Sequence, residues 1–257
     1  MSAHPPPARH EPRRTVIAEV LLVLGVSLGY SAVWSAVDLV GKLLTGPLSS
    51  QRSSLNPSAA AGHPGLDLAF QLVRIFFGVL PALLALHLLH RSGHEDPMGW
   101  RSRRPGFDAV SGLALGAIIG LPGLALYVVS RRLGLETTVV PEALPLVWWT
   151  VPVLLLSAIE NAFLEEVLVV GYLVGRLRDV SVSAALAVAL SALLRGSYHL
   201  YQGFGGFVGN AAMGIVFAVF FMRFRRVAPL IVAHAILDSV AFVGYFLFHG
   251  RLGFLGI

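Results

Sequence analysis

The alternation of apolar and polar positions divides the chain into seven hydrophobic runs, at 16–44, 66–89, 107–129, 152–174, 182–194, 207–221 and 228–248. Short polar stretches rich in Arg, Gly and Pro separate them. The runs are apolar nearly all round, without the narrow stripe of a helix on a soluble core or the alternation of a barrel strand. A bilayer core of about 30 Å takes about 20 residues of helix. The pattern therefore predicts an all-α polytopic membrane bundle with about seven transmembrane helices. The fifth and sixth runs are short and must borrow less apolar flanking residues. Trp148 and Trp149, just before the fourth run, suit an interfacial belt.

The same pattern divides the chain into a tail at 1–15, N-terminal helices and loops at 16–150, a C-terminal unit at 151–249 and a last short tail at 250–257. The first tail is rich in Pro, Arg and His and reads as disordered. It does not read as a signal peptide, because the run behind it is too long for one and lacks a clean small-residue cleavage site. The stretch TGPLSSQRSSLNPSAAAGHPG, between the first two runs, reads as turn and linker. No internal repeat is visible.

Composition sharpens the membrane reading. Hydrophobic residues make up 56% of the 257 and charged residues 13%, against about 25% charged in soluble domains. The net charge of +5 does not point to nucleic acid, because the cations lie between apolar runs instead of along a stripe. They mark loop polarity instead. Twelve arginines (9, 13, 14, 91, 101, 103, 104, 176, 178, 223, 225 and 226) fall on one side. The other side has five cations: Lys42, Arg52, Arg131, Arg132 and Arg251. The positive-inside rule then predicts a cytoplasmic N-terminus, and we expect the active cavity to open toward the cytoplasmic half. The absence of cysteine excludes disulfides and thiolate chemistry.

A charged side chain at membrane depth costs on the order of 3 kcal/mol, so such residues are functional candidates by default. Glu19, Asp38 and Arg74 fall near run ends, where snorkelling accounts for them. The rest concentrate late in the chain. The fourth run carries Glu160, Asn161, Glu165 and Glu166, the fifth leads to Arg195 and His199, and the seventh carries His234 and Asp238. Residues four apart share a helix face, so Asn161 is expected to bond Glu165, and Asp238 to pair with His234. Adjacent Glu165 and Glu166 differ by about 100° around a helix, so only one points fully into a given cavity. A carboxylate beside a histidine is the equipment of a general base. At about 1.5 Å per residue, Glu165, His234 and Asp238 lie about 16, 12 and 18 Å from the arginine-rich side, whereas His199 lies about 24 Å deep.

The strings EEVLVVGYL from Glu165, SALLRGSYHLYQG from Ser191 and HAILD from His234 resemble the three motifs of the CPBP family. These are the CAAX prenyl endopeptidase and bacteriocin-processing intramembrane proteases, also called Abi. The resemblance covers about residues 152–248 and implies a membrane protease core at 151–249 in a bacterial plasma membrane. It further implies glutamate-dependent peptide hydrolysis without a cofactor or metal, acting on a peptide or membrane-protein substrate. Glu165 and His199 would activate water with Glu166 beside them, and His234 with Asp238 would stabilise the oxyanion. The family usually has Arg four residues after the second Glu and Phe four before the first His. Here those positions are Val170 and Arg195. Arg195 is therefore expected to supply the missing cation, or to pair with Glu160 at a similar depth. The family's third motif often ends in Asn, where Asp238 stands here. Competing readings are a zinc-dependent membrane hydrolase, a proton-coupled transporter and a non-catalytic scaffold.

Overall fold

The computed structural model describes residues 12–141 and 143–248. The N-terminal tail up to residue 11 and the C-terminal tail, with Arg9 and Arg251, lie outside the described residues.

Every hydrophobic run is helical, but not always as one rod. The first forms α1 (Arg13–Gly25) and α2 (Leu28–Thr45), bent by 54° between them. The Ser27 hydroxyl sits at the bend and donates to the Val23 carbonyl at 2.6 Å, competing with the backbone ladder. The second forms α3 (Pro64–Gly78) and α4 (Leu80–Arg91). Pro81 there lacks the N–H that would meet the Phe77 carbonyl. α5 (Pro105–Arg132) is followed by α6 (Thr150–Glu165), which passes through a π-helical turn at Glu166–Tyr172 into α7 (Leu173–Asp179). α8 (Ala184–Ser197), α9 (Phe204–Phe224) and α10 (Ala228–Phe248) complete the bundle.

Among the described residues, four stretches are long and apolar enough to cross a bilayer: Pro64–Arg91, Pro105–Arg132, Phe204–Phe224 and Ala228–Phe248. The bent α1–α2 pair makes a fifth. α8 is apolar but has 14 residues, about 21 Å of helix. The rod through α6 and α7 is long, yet its carboxylates and arginines lower its apolar character. The molecule is an all-α membrane bundle.

Its core surrounds the π-helical turn. Val167, Leu168, Val169, Val170 and Tyr172 are wholly buried, packed by Ala82 and Ala85 of α4, Phe217 of α9 and Leu230 of α10. Large apolar side chains such as Leu22, Phe76 and Leu121 point outward. In water they would be a liability, but in lipid they are the solvated surface.

The two ends of the bundle differ. At the arginine-rich end, Arg226 grips Asp108 through two bonds of 2.7 and 2.6 Å, and also the carbonyls of Gly99 and Ser102. Arg176 joins α7 to Glu19 of α1, which also accepts from Tyr172. Glu19 is thus an interhelical anchor and does not snorkel. His94 meets Asp179 at 3.2 Å, and that hydrogen bond raises the imidazole above its ordinary pKa.

The opposite end holds the stretch expected to be a plain linker. It contains a 3₁₀ turn and β1 (Arg52–Ser54), which pairs in parallel with β2 (Thr138–Val140). The segment is anchored by buried Leu48 and by Leu55 packed on a small apolar cluster, and by backbone and hydroxyl bonds. Ser53 Oγ donates to the Tyr201 carbonyl at 2.7 Å, and Thr137 N donates to the Gln202 carbonyl at 2.8 Å. Gly203 turns the chain from this rim into α9 at φ 119°, a conformation that favours glycine.

Candidate active site

Glu165 ends α6 and Glu166 opens the π-helical turn. Such wide turns are frequent at functional sites, and here one separates two adjacent carboxylates. Glu165 lines a cavity of about 830 Å³, whereas Glu166 is wholly buried behind it. His199, His234 and Asp238 line the same cavity. The structure therefore brings together the groups that depth arithmetic left apart. α8 stops at Ser197, and the turn carrying His199 leads into the rim at residues 200–202 instead of continuing a straight rod.

Arg195 is the hub. Its guanidinium is fully buried, with Nη1 3.3 Å from Glu165 Oε2 and Nη2 2.6 Å from Glu166 Oε1. It also lies over the Phe217 ring at 5.5 Å. The expected pair with Glu160 does not form. Glu160 lies one and a half turns back on α6, facing Arg74 across the closely approaching Gly78 of α3. A Cβ at Gly78 would overlap the Glu160 carboxylate, so glycine keeps that space open. Arg74 is exposed and donates to Asn56 Oδ1 of the 46–63 segment at 3.0 Å, so its head reaches the polar rim as expected of a residue near a run end.

His234 is held differently from its sequence expectation. Its Nδ1 lies 2.7 Å from Glu166 Oε1, while Asp238 is only a 3.7 Å ion-pair contact from Nε2. Asn161 does not bond Glu165. Its amide reaches Asp238 Oδ2 at 3.4 Å, because that face of α6 packs on α10. Glu165 instead accepts from Tyr198 Oη at 2.7 Å. His199 lines the cavity, and its Nδ1 is buried with no hydrogen-bond partner among the described residues.

Sequence reasoning missed Tyr198 and the wall facing this cluster. Tyr198 is three residues after Arg195 and so on the same helical face, a signal that was legible. The wall is α2, whose Ser31, Ser35, Asp38 and Lys42 all line the cavity. Asp38 pairs with Lys42 at 2.7 Å, so it belongs to a polar stripe and does not snorkel. Spacings of four, three and four residues gave that stripe away. The cavity reaches from the mid-bundle carboxylates to Arg52 and Gln202, the end opposite the arginine-rich loops. The expectation of a cavity opening toward the arginine-rich side is therefore overturned, because α2 and the 46–63 segment build its mouth.

Glu165, Glu166 and His234 offer ligand atoms within 4.8 Å of one another, a spacing a metal ion accepts. Arg195 already contacts both carboxylates, so an ion there must compete with a buried cation.

Four helices of a membrane bundle thus converge on paired carboxylates, an arginine and two histidines, which defines a polytopic membrane protein with a buried ionisable centre. Residues 147–240 match the family model described as type II CAAX prenyl endopeptidase Rce1-like. That match covers less than half of the chain, and over those residues the protein is similar to the CAAX protease family. No curated protein and no solved structure gives a match.

Proposed function

We propose that the chain is an intramembrane glutamic endopeptidase. The observation that carries this is the division of labour between two adjacent carboxylates, Glu165 on the cavity and Glu166 behind it. In this reading Glu165 takes a proton from water, and His199 orients that water. The water oxygen bonds to the scissile carbonyl carbon. The carbonyl oxygen gains negative charge and meets His234, whose ring Glu166 fixes through Nδ1. Collapse breaks the C–N bond, and the proton on Glu165 passes to the departing amine, so water is consumed and a carboxylate and an amine result.

Arg195 supplies, from α8, the positive charge that the family pattern would place at Val170. Asp238 keeps a negative charge beside His234, and Asn161 orients Asp238. The protease core is 151–249, although α2 and β1 from the N-terminal part supply the facing wall. Seven spans, a cytoplasmic N-terminus and a bacterial plasma membrane belong to the same reading, on the twelve-to-five cation split.

The test is a comparison of the membrane peptidome of cells carrying wild-type or Glu165→Gln protein. Peptides present only with the wild type support the reading. Identical peptidomes at equal protein abundance overturn it.

A further inference from the structure

β1 has one edge paired with β2 and one edge turned to the cavity. Thr138 N donates to the Gln51 carbonyl at 2.8 Å and Leu55 N to the Val140 carbonyl at 3.0 Å. Successive residues of a strand point their backbone groups to opposite edges. With Gln51, Ser53 and Leu55 committed to β2, Arg52 and Ser54 present their N–H and C=O groups on the other side. Both residues are exposed, and among the described residues no hydrogen bond meets their backbone on that edge. Arg52 to Leu55 line the cavity and no residue of β2 does, so the free edge is the cavity-side one.

An unpaired edge is a template for another extended chain. Here it is pinned in place, because Ser53 Oγ bonds the Tyr201 carbonyl and also meets Lys42 Nζ at 2.8 Å and Thr137 Oγ1 at 2.8 Å. A peptide bond about to be cleaved cannot lie in an intact helix, where its carbonyl is bonded along the chain. Once unwound, its backbone groups need partners wherever water is scarce.

We propose that the free edge of β1 binds the substrate, as an added strand that feeds an extended segment toward Glu165 and His199. The proposal rests on the protease reading, since the same cavity holds both the edge and the carboxylate. The occupant is an extended peptide segment entering from the Lys42–Arg52 end. Under the N-in orientation it lies at the extracytoplasmic border of the membrane. Recognition is by backbone, so it tolerates varied side chains but not loss of amide protons at alternate positions.

Two measurements test this. In cells, Ser54→Pro removes one free-edge N–H and leaves the β2 ladder intact, because proline is tolerated at a strand edge. Ser54→Ala keeps that N–H and is the reference. Glu165-dependent peptides are expected to fall at least tenfold with Pro relative to Ala at equal membrane abundance, and equal yields overturn the edge.

The second measurement is independent of catalysis. The natural chain has no cysteine, so Ser54→Cys combined with Glu165→Gln gives a single thiol in membranes, read by maleimide labelling. The probe is a Val/Thr-rich extended peptide and its N-methylated series. Slowed labelling, relieved by N-methylation at positions of one parity only, is the expected result. Unslowed labelling, or equal relief by both parities, overturns the proposal. If slowing occurs while Glu165→Gln changes no cellular peptide, the edge stands and the protease reading falls.

Discussion

At the scale of single residues, Glu165 and Glu166 sit side by side in sequence and occupy different chemical worlds. One faces a cavity and accepts from Tyr198, and the other is sealed between Arg195 and His234. Glu165→Gln and His199→Ala should each abolish cleavage while the protein stays folded in the membrane. Loss of general-base chemistry costs about 10²–10⁴-fold, read as the disappearance of wild-type-specific peptides, and near-normal yields would refute the assigned roles. Arg195→Leu strands two carboxylates, and a buried charge without its partner costs about 3–5 kcal/mol in soluble proteins. That variant should lose membrane abundance, activity or both. Val170→Arg in the same background should recover part of the loss, since it returns a cation to the turn carrying Glu166. Failure of any recovery would show that Arg195 and the family's arginine are not equivalent. The trio Glu165, Glu166 and His234 has metal-like spacing, but Arg195 occupies its junction. Cleavage should therefore survive strong chelators, and activity lost on chelation and restored by zinc would favour the metal-dependent hydrolase.

At the scale of elements, the rim opposite the arginine-rich loops joins α5, β2 and the start of α9. Glu136 is buried there against Ser130 and Gly205. Burial raises its carboxyl pKa to about 8, with Arg131 offsetting only part. For an acid whose pKa is higher folded than unfolded, the folded state holds the proton more tightly. Its contribution to stability is full below the unfolded value near 4.5, declines as pH rises, and is lost above about 8. Amide exchange at Leu135 and Thr137 should therefore accelerate between about pH 7 and pH 9 relative to Glu136→Gln protein. Identical pH profiles for the two proteins would rule out this coupling.

For the whole molecule, the arginine-rich loops gather at one end and the cavity opens at the other. Arg176 and Arg226 show that these arginines also fasten helices together. Their sum still sets the insertion preference. Reporter domains fused after Arg104 and after Arg226 should both be cytoplasmic. An external location for either reverses the orientation, and with it the side from which an extended substrate arrives.

The sequence by itself determined the bundle, the helical runs and nearly every ionisable group of the centre. Apolar runs of span length leave the backbone no alternative to helix in lipid, and charges at that depth are too costly to be incidental. Partner choice was decided only by tertiary structure. Spacing and depth allowed Arg195 to meet Glu160 and Asn161 to meet Glu165, but the packing of α6 against α3 and α10 redirects both. The depth of His199 likewise depends on where α8 ends, which a uniform rise per residue does not reveal. The 46–63 segment gave no periodic signal, because short strands held by backbone bonds draw little on side-chain pattern. Its position at the mouth of the cavity follows from long-range pairing with residues 138–140, a contact that local sequence does not encode.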